Sequence, residues 1–380
     1  MELKTFRAMS VGRIHRAHDA NNKSFDSCSS YYFYEFYRQC DCRQKNYTIH
    51  EIQEQAGEML NAAGLTGTIE VETTKGKFNV SIEIPEVDRV PIVQITFPSS
   101  DQVPPVPENG TITEHTVEYY SASYLTGWVV EINRDELYGE YVKNTHRIGQ
   151  YGMDAYADGS PLTMEECIAF VEQILRPYKE LYGWEFSLQR AYANSRRYKA
   201  TAGRNGFIAN TDQPVDDTGY YTMEFKQTFY GIPYDGYLRF NYPGKNDREA
   251  PLSAGDLHFD LFSPDCYSYV INPSAEQAVL AEDVPLCSLK TCIKAFKDSG
   301  KYSEQTPTKL RFVYVALNDP NDRNRDHLVL VPVWMLESDK GPEWVLGGVG
   351  FVNAQTGEWI NTEQKDKNEG RRSDAVWFGW

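Results

Sequence analysis

The sequence predicts an α+β protein in which a helix followed by antiparallel strands recurs three times. Three observations carry that prediction. Helical stripes of period 3.6 open near Thr48, Thr163 and Leu286. Each is followed by runs of strands, the order of an α+β chain and not of a parallel α/β one. The strand segments are short, rich in β-branched and aromatic residues and bounded by turn formers; the clearest, Lys309 to Ile360, holds two apolar runs and a glycine-bearing hairpin. The recurrence is one of architecture, without sequence identity between the units.

Taken in order, residues 1–46 are polar and aromatic and read as an extension; the run Tyr31 to Tyr37 suits a strand or a short helix, its period unreadable. Thr48 with Glu51 is a capping box. Ile49, Ile52, Ala56, Met59, Leu60 and Ala63 then share one stripe, which Gly64 ends. Ile69 and Val71, then Phe78, Val80, Ile82 and Ile84, alternate with polar residues on either side of Lys75-Gly76, as a half-buried antiparallel hairpin does. Val90 to Phe97 adds a strand. Asp101 to Gly110 carries Pro104, Pro105 and Pro107 and reads as a linker or long loop. Thr111 to Tyr124 and Trp128 to Ile132 read as strands, and Arg134 to Gly159 shows no pattern.

Thr163 with Glu166 forms a second capping box. Met164, Cys167, Ile168, Val171, Ile174 and Leu175 make its stripe, and Pro177 is expected to end or kink the helix. Trp184 to Leu188, Tyr220 to Tyr230, Leu238 to Tyr242 and Leu257 to Phe262 read as strands. A third helix is expected from Leu286 to Lys297, with Leu286, Leu289, Ile293 and Phe296 inward and Gly300 as its stop. Leu310 to Leu317 is apolar on both faces and Leu328 to Leu336 apolar throughout, so both should be buried strands. Pro332 lacks an N–H, which makes the second an edge strand or marks an irregularity in it. Thr356-Gly357 supplies the positive φ of a tight turn. The boundaries that follow are 1–46 for the extension and 47–154, 155–270 and 271–380 for three α+β lobes.

The segments Leu330 to Trp334 (Leu-Val-Pro-Val-Trp) and Val352 to Glu358 (Val-Asn-Ala-Gln-Thr-Gly-Glu) resemble PepSY-type domains. They resemble still more the YycI-type extracytoplasmic regulators of sensor kinases and uncharacterised Firmicutes lipoproteins built the same way. Phe225 to Pro233, with its Gly-Ile-Pro turn, looks like the same group. The resemblance spans the last third of the chain and, more loosely, the middle third. It implies PepSY/YycI-like lobes in a non-enzymatic binding or regulatory protein, extracytoplasmic and lipid-anchored, that contacts another protein such as a membrane sensor kinase or a peptidase. The residues leave two alternatives open: a carbohydrate- or peptide-binding surface lipoprotein using exposed Tyr and Trp, and a hydrolase using paired carboxylates.

Composition bounds these readings. The 380 residues suffice for two or three domains. A net charge of −16 argues against non-specific nucleic-acid binding and against docking on an anionic membrane through the protein surface. The 26 Tyr and 7 Trp are expected chiefly on sheet faces and core edges. No apolar run reaches the length of a membrane helix. Residues 1–27 lack the apolar segment of a signal peptide, and Phe25-Asp26-Ser27 before Cys28 is not a lipobox. The anchor implied by the resemblance is thus not written in these residues.

Motifs that carry chemistry are scarce. Gly347-Gly-Val-Gly350 has no following helix and no Lys-Ser/Thr, so it cannot cradle phosphate as a P-loop does. Asn318 to Asp326 is rich in oxygen ligands, but it lacks the central glycine and final glutamate of an EF-hand, and Arg323 and Arg325 compete for the acids; a solvated hairpin tip is expected rather than a calcium site. The 7 histidines include one close pair, His15 and His18, and no H-E-x-x-H; no G-x-S-x-G elbow is present. The 7 cysteines are odd in number. Cys40 and Cys42 lie near Cys28, Cys287 and Cys292 share the third helix, and none has the C-x2-C spacing of a structural zinc site. Cys167 and Cys292 read as small buried hydrophobes, and neither Cys28 nor Cys287 has a positional partner that would make it a nucleophile. No catalytic, cofactor-binding or metal-binding residue is assigned, no cofactor is expected, and nucleic acid is not an expected partner.

Overall fold

The structure, a computed structural model, describes residues 46–62, 67–73, 75–98, 102, 110–119, 123–132, 150–151, 162–194, 197–203, 206–216, 220–235, 255–298, 306–318, 327–338 and 349–360. These fall within one compact unit, Arg43–Trp380. The first stretch forms helix α1 (Ile49–Ala62) and strands β1 (Thr68–Thr73), β2 (Gly76–Glu83) and β3 (Ile92–Thr96). Next come β4 (Gly110–Tyr119), β5 (Ser123–Ile132), β6 (Gln150–Tyr151), helix α2 (Met164–Tyr182) and β7 (Glu185–Asn194). They are followed by β8 (Arg197–Gly203), β9 (Gly206–Asp216), β10 (Tyr220–Phe229), β11 (Ile232–Pro233), β12 (Asp256–Ser263) and β13 (Cys266–Ile271). The last stretch holds β14 (Ala275–Ala281), helix α3 (Leu289–Asp298), β15 (Pro307–Asn318), β16 (Leu328–Ser338), β17 (Val349–Asn353) and β18 (Trp359–Ile360).

The fold is α+β and strand-rich, with two mostly antiparallel sheets. The first runs β1-β2-β15-β16-β17-β18, and β3 joins it by pairing with both β16 and β14. The second runs β4-β5-β13-β12-β10-β7-β6, with β11 on β10. The ribbon β8–β9 stands apart from both. Strand pairing thus groups the chain as an outer stretch, which builds the first sheet from both ends of the sequence, and an inner stretch, which builds the second.

Local chemistry accounts for the helices. At α1 the Thr48 N–H donates to Glu51 Oε2 at 2.9 Å and the Glu51 N–H to Thr48 Oγ1 at 3.3 Å, the reciprocal bonds of a capping box. Ile49, Ile52 and Ala56 are buried, and α1 and α3 pack on β1. The same box forms at Thr163 and Glu166 of α2. Pro177 does not end α2: the helix runs on to Tyr182 and stops at Gly183, whose φ is 71°. The proline leaves the carbonyl of Gln173 without its helical donor, on the exposed side of the helix. Tyr178 is buried, hydrogen-bonded to Tyr269 at 2.5 Å and stacked on Trp184, which pins the last turn. Helix α3 starts at Leu289 rather than Leu286, because Ser288 caps it by accepting the Thr291 N–H at 3.1 Å. Leu286 instead bridges to Tyr47.

The strands obey their apolar patterns. Every residue of β16 is buried. It is a central strand, and Pro332 sits where its outer partner changes: β3 covers Leu328 to Leu330 and β17 covers Val333 to Glu337. The Pro332 carbonyl accepts the Ala354 N–H at 3.0 Å on that side. N–H and C=O of one residue face the same edge of an antiparallel strand, so the missing donor would have met the Ala354 carbonyl, which instead accepts the Cys287 N–H at 2.8 Å. The second sheet buries Tyr221, Met223, Phe225 and Phe259 against Cys167 and Val171 of α2, and Phe259 stacks on Tyr269 with centroids 5.1 Å apart. The Tyr230-Gly231 pair, at φ 53° and 77°, makes the two-residue turn between β10 and β11.

Several expectations lie outside the described residues: the extension 1–45, Gly64, nearly all of Asp101 to Asn109, residues 133–149 and 152–159, the strand Leu238 to Tyr242, Gly300, the loop from residue 319 to 326, and Gly347-Gly348.

The Asn353 to Gly357 turn yields a test. Gly357 has φ 73°, and a Cβ there would meet Thr291 Cγ2 at 2.9 Å. Gly357→Ala should therefore destabilise the protein by more than about 1 kcal/mol, read as a lower urea midpoint with unchanged slope.

Candidate functional site

The charged side chains that burial brings together lie where the two sheets meet. In β10 and β12 the pairs Lys226–Asp256, Glu224–His258 and Thr222–Asp260 stand opposite one another. Because side chains alternate between faces, these polar pairs share the face opposite Met223, Phe225 and Phe259. Lys226 Nζ lies 2.5 Å from Asp256 Oδ1 and 3.4 Å from Asp235 Oδ1. Asp235 is buried and held by the first sheet: its N–H donates to the Tyr314 carbonyl at 2.9 Å, next to the bridge between Tyr234 and Tyr314.

Arg311 answers from the other side. It is the one charged residue within the apolar run Leu310 to Leu317, and its side chain is only 9% exposed. The parallel register of β2 and β15 sets Glu83 beside it, at 2.9 Å from Nε. Glu337 of β16, diagonally across the ladder, takes Nη1 at 2.9 Å. Nη2 donates to Gln189 of β7, in the second sheet. Gln189 reaches it because the β7–β10 register skips: Glu224 pairs with Arg190 and Phe225 with Leu188, leaving Gln189 as the extra residue of a bulge. Bulges re-aim side chains in this way. Lys309 completes the group, 2.6 Å from Glu83. A planar guanidinium with several fixed N–H directions suits three partners on two sheets; a lysine would not.

The electrostatics follow from these contacts. Burial pushes the Lys226 pKa down, but Asp235 and Asp256 outweigh it and hold the ammonium charged well above 10.5. Arg311 is likewise penalised by burial and raised by Glu337, Asp235 and Glu83. For Glu83, burial opposes ionisation, yet the Lys309 hydrogen bond and the charges of Arg311 and Lys309 leave it below 4.5. A lysine kept protonated is no amine nucleophile, and an arginine is no base. Gln227 adds a neutral tie: its side-chain amide exchanges two 2.7 Å bonds with the backbone of Ser274, at the passage from β13 to β14.

Farther along the same face, the Thr222 hydroxyl donates to Asp260 Oδ1 at 2.6 Å, and His258 Nε2 lies 3.5 Å from the same oxygen. In a nucleophilic triad the hydroxyl gives its proton to the imidazole; here the carboxylate stands between them. Among the described residues no group of three or more His, Cys, Asp or Glu could hold a metal ion.

Of the residues weighed from sequence, Cys167 and Cys292 are buried thiols. Cys287 precedes α3 rather than lying within it. His15, His18, Cys28, Cys40 and Cys42 lie outside the described residues, as does the Asn318 to Asp326 loop beyond Asn318. The Lys226–Arg311 seam was not anticipated. Its one legible sign is Arg311 itself, a charge on an apolar strand face; Gln189 and Asp235 reach the seam through a bulge and an interstrand bridge, which sequence does not display.

No protein-family model matches the chain, and no curated protein matches it. Among solved structures, the crystal structure of an uncharacterized protein from Eubacterium rectale matches with a TM-score of 0.47 and 12% identity, over 82% of this chain and 99% of that one.

Two tests follow. Arg311→Met strands the buried Glu337 carboxylate and should cost about 3–5 kcal/mol in chemical unfolding; Arg311→Met with Glu337→Met should recover most of that loss. Glu83 has a depressed folded pKa, so its contribution is present above 4.5 and disappears as pH falls through the folded value. Urea midpoints measured across that range should drop more steeply in the wild type than in Glu83→Gln, the two curves converging at low pH.

Proposed function

We propose that this is a non-enzymatic binding or regulatory protein that contacts another protein by accepting an extended segment along β4. The observation that carries the reading is the edge itself. β4 ends the second sheet, and all ten of its residues pair with β5 in one unbroken register. Among the described residues no strand pairs with its outer side. Natural sheets blunt such edges with bulges or short strands, since a long regular one presents a row of backbone donors and acceptors to another chain. Strand addition uses that row for affinity and the alternating side chains for specificity; Thr111 and Thr113 are exposed on β4. The seam favours the same reading, because its buried ionisable groups are engaged with one another.

A PepSY- or YycI-like kinship belongs to the proposal. Support comes from the order α3, β15, β16, β17, β18, with Leu330 to Trp334 in the central strand and Val352 to Glu358 spanning the hairpin turn. The extracytoplasmic, lipid-anchored setting and a sensor kinase or peptidase as partner rest on that resemblance.

Photo-crosslinking tests it. A benzophenone side chain placed at Thr111 or Thr113, in the protein expressed in its own cells, should capture one and the same partner peptide, and one placed at Lys294, exposed on α3, should not. Capture from Lys294 alone, or of unrelated peptides from the two β4 positions, would contradict it.

A further inference from the structure

Four short segments are knotted where the chain passes from the second sheet to the first. Near the end of β10, the Gln227 N–H donates to the Gly255 carbonyl and the Gln227 carbonyl accepts the Tyr234 N–H, both at 2.7 Å. The Gly255 N–H donates in turn to the Asn272 carbonyl at 2.6 Å, and the Asn272 N–H to the Asp256 carbonyl at 3.0 Å. The Gln227 side chain closes the knot through its two bonds with the Ser274 backbone. Only glycine suits position 255, where φ is 81° and a Cβ would run into the Tyr234 ring, which lies directly on this backbone.

The side chains gathered here are not matched as the backbone is. Tyr234, Asn272 and Ser274 are each 0% exposed. Neither Oδ1 nor Nδ2 of Asn272 has a hydrogen-bond partner in the protein, and neither do the hydroxyls of Tyr234 and Ser274. Leaving such groups dry costs more than an ordinary hydrogen bond returns, and native interiors seldom do so. Burial drives the Tyr234 phenol well above its ordinary pKa, and the Ser274 hydroxyl acts against that rise. The two hydroxyls are thus neighbours that do not bond one another, a separation that a bridging water spans.

The chemistry selects the occupant. The four atoms are uncharged, and between them they offer both donors and acceptors. The formal charges next to them are already paired, Lys226 with Asp256 and Asp235. Among the described residues no group of acids, histidines and cysteines could hold a metal ion. A neutral molecule that donates and accepts alike and fits a fully enclosed polar site is water.

We propose that Tyr234, Asn272 and Ser274 form a binding site for internal water, with at least one molecule bridging the Asn272 carboxamide to the two hydroxyls. That water is a structural part of the joint between the sheets. It meets the segment that leads from β13 to β14 and the residue, Tyr234, that bridges to Tyr314 of the first sheet. The inference stands independently of docking at β4.

A crystal structure of the full chain at a resolution that orders solvent tests this. A peak refining as a water oxygen should stand about 2.7–3.2 Å from Asn272 Oδ1 or Nδ2 and from the hydroxyl of Tyr234 or Ser274. Urea midpoints read the site a second way. Tyr234→Phe and Ser274→Ala each take a partner from bound water and should lower the midpoint, whereas deleting a hydroxyl held dry would raise it or leave it unchanged. A carboxamide turned to bond protein groups directly, with no solvent peak beside it, would overturn the proposal. So would a site filled by a cation, recognised by its short oxygen contacts, or a midpoint that holds or rises in both variants. The crystal structure of the unmutated chain decides whether or not the variants fold.

Discussion

A guanidinium taken out of water must be matched on all sides, and Arg311 can be matched only when both sheets are in place. Its charge cannot be discarded by deprotonation, and an unpaired buried ion costs several kcal/mol. Two of its partners, Glu83 and Glu337, come from its own sheet through strand register, one from the parallel neighbour and one from the antiparallel neighbour. The third, Gln189, belongs to the other sheet and arrives through a bulge. Lys226 mirrors the arrangement: it lies in the second sheet, and one of its two carboxylates, Asp235, is anchored by backbone to Tyr314 of the first. Apolar contact tolerates sliding, whereas these charge-assisted bonds are satisfied at one offset only. The seam therefore sets how the outer and inner stretches of the chain are joined.

That role bears on the functional reading. The buried acids and bases are occupied in holding the frame, and the pKa directions at Lys226 and Arg311 keep both cations charged. The docking at β4 that we propose would need this frame, because main-chain bonding at an edge needs a strand that does not bend away.

Much of the secondary structure could be read because its causes are local. Thr48 with Glu51 and Thr163 with Glu166 form the bonds that their spacing implies, and the apolar runs at Leu310 and Leu328 are buried along their length. Pro177 does not end α2 and Pro332 does not put β16 at an edge, for one reason. A proline's cost depends on where its missing hydrogen bond would have pointed: toward the carbonyl of the exposed Gln173 in one case, and in the other toward the Ala354 carbonyl, which takes the Cys287 N–H instead. β13 and β14 went unread because Cys266 to Ile271 is buried or half-buried throughout and Ala275 to Ala281 is nowhere fully buried, so neither alternates. Strand order was the least legible feature. Nothing local to Ser81 announces that its hydroxyl will bond the carbonyl of Thr308, 227 residues away. The seam inherits that opacity, since Glu83 and Asp256 reach it through strand order and Gln189 through a bulge.

Hydrogen exchange resolved by segment, comparing the native protein with Arg311→Met at neutral pH, tests most directly whether the seam couples the sheets. Protection should fall together in β15 and β16 of the first sheet and in β7 and β10 of the second. Faster exchange confined to β2, β15 and β16, with β7 and β10 unchanged, would show that Arg311 serves its own sheet and that the joint between the two lies elsewhere.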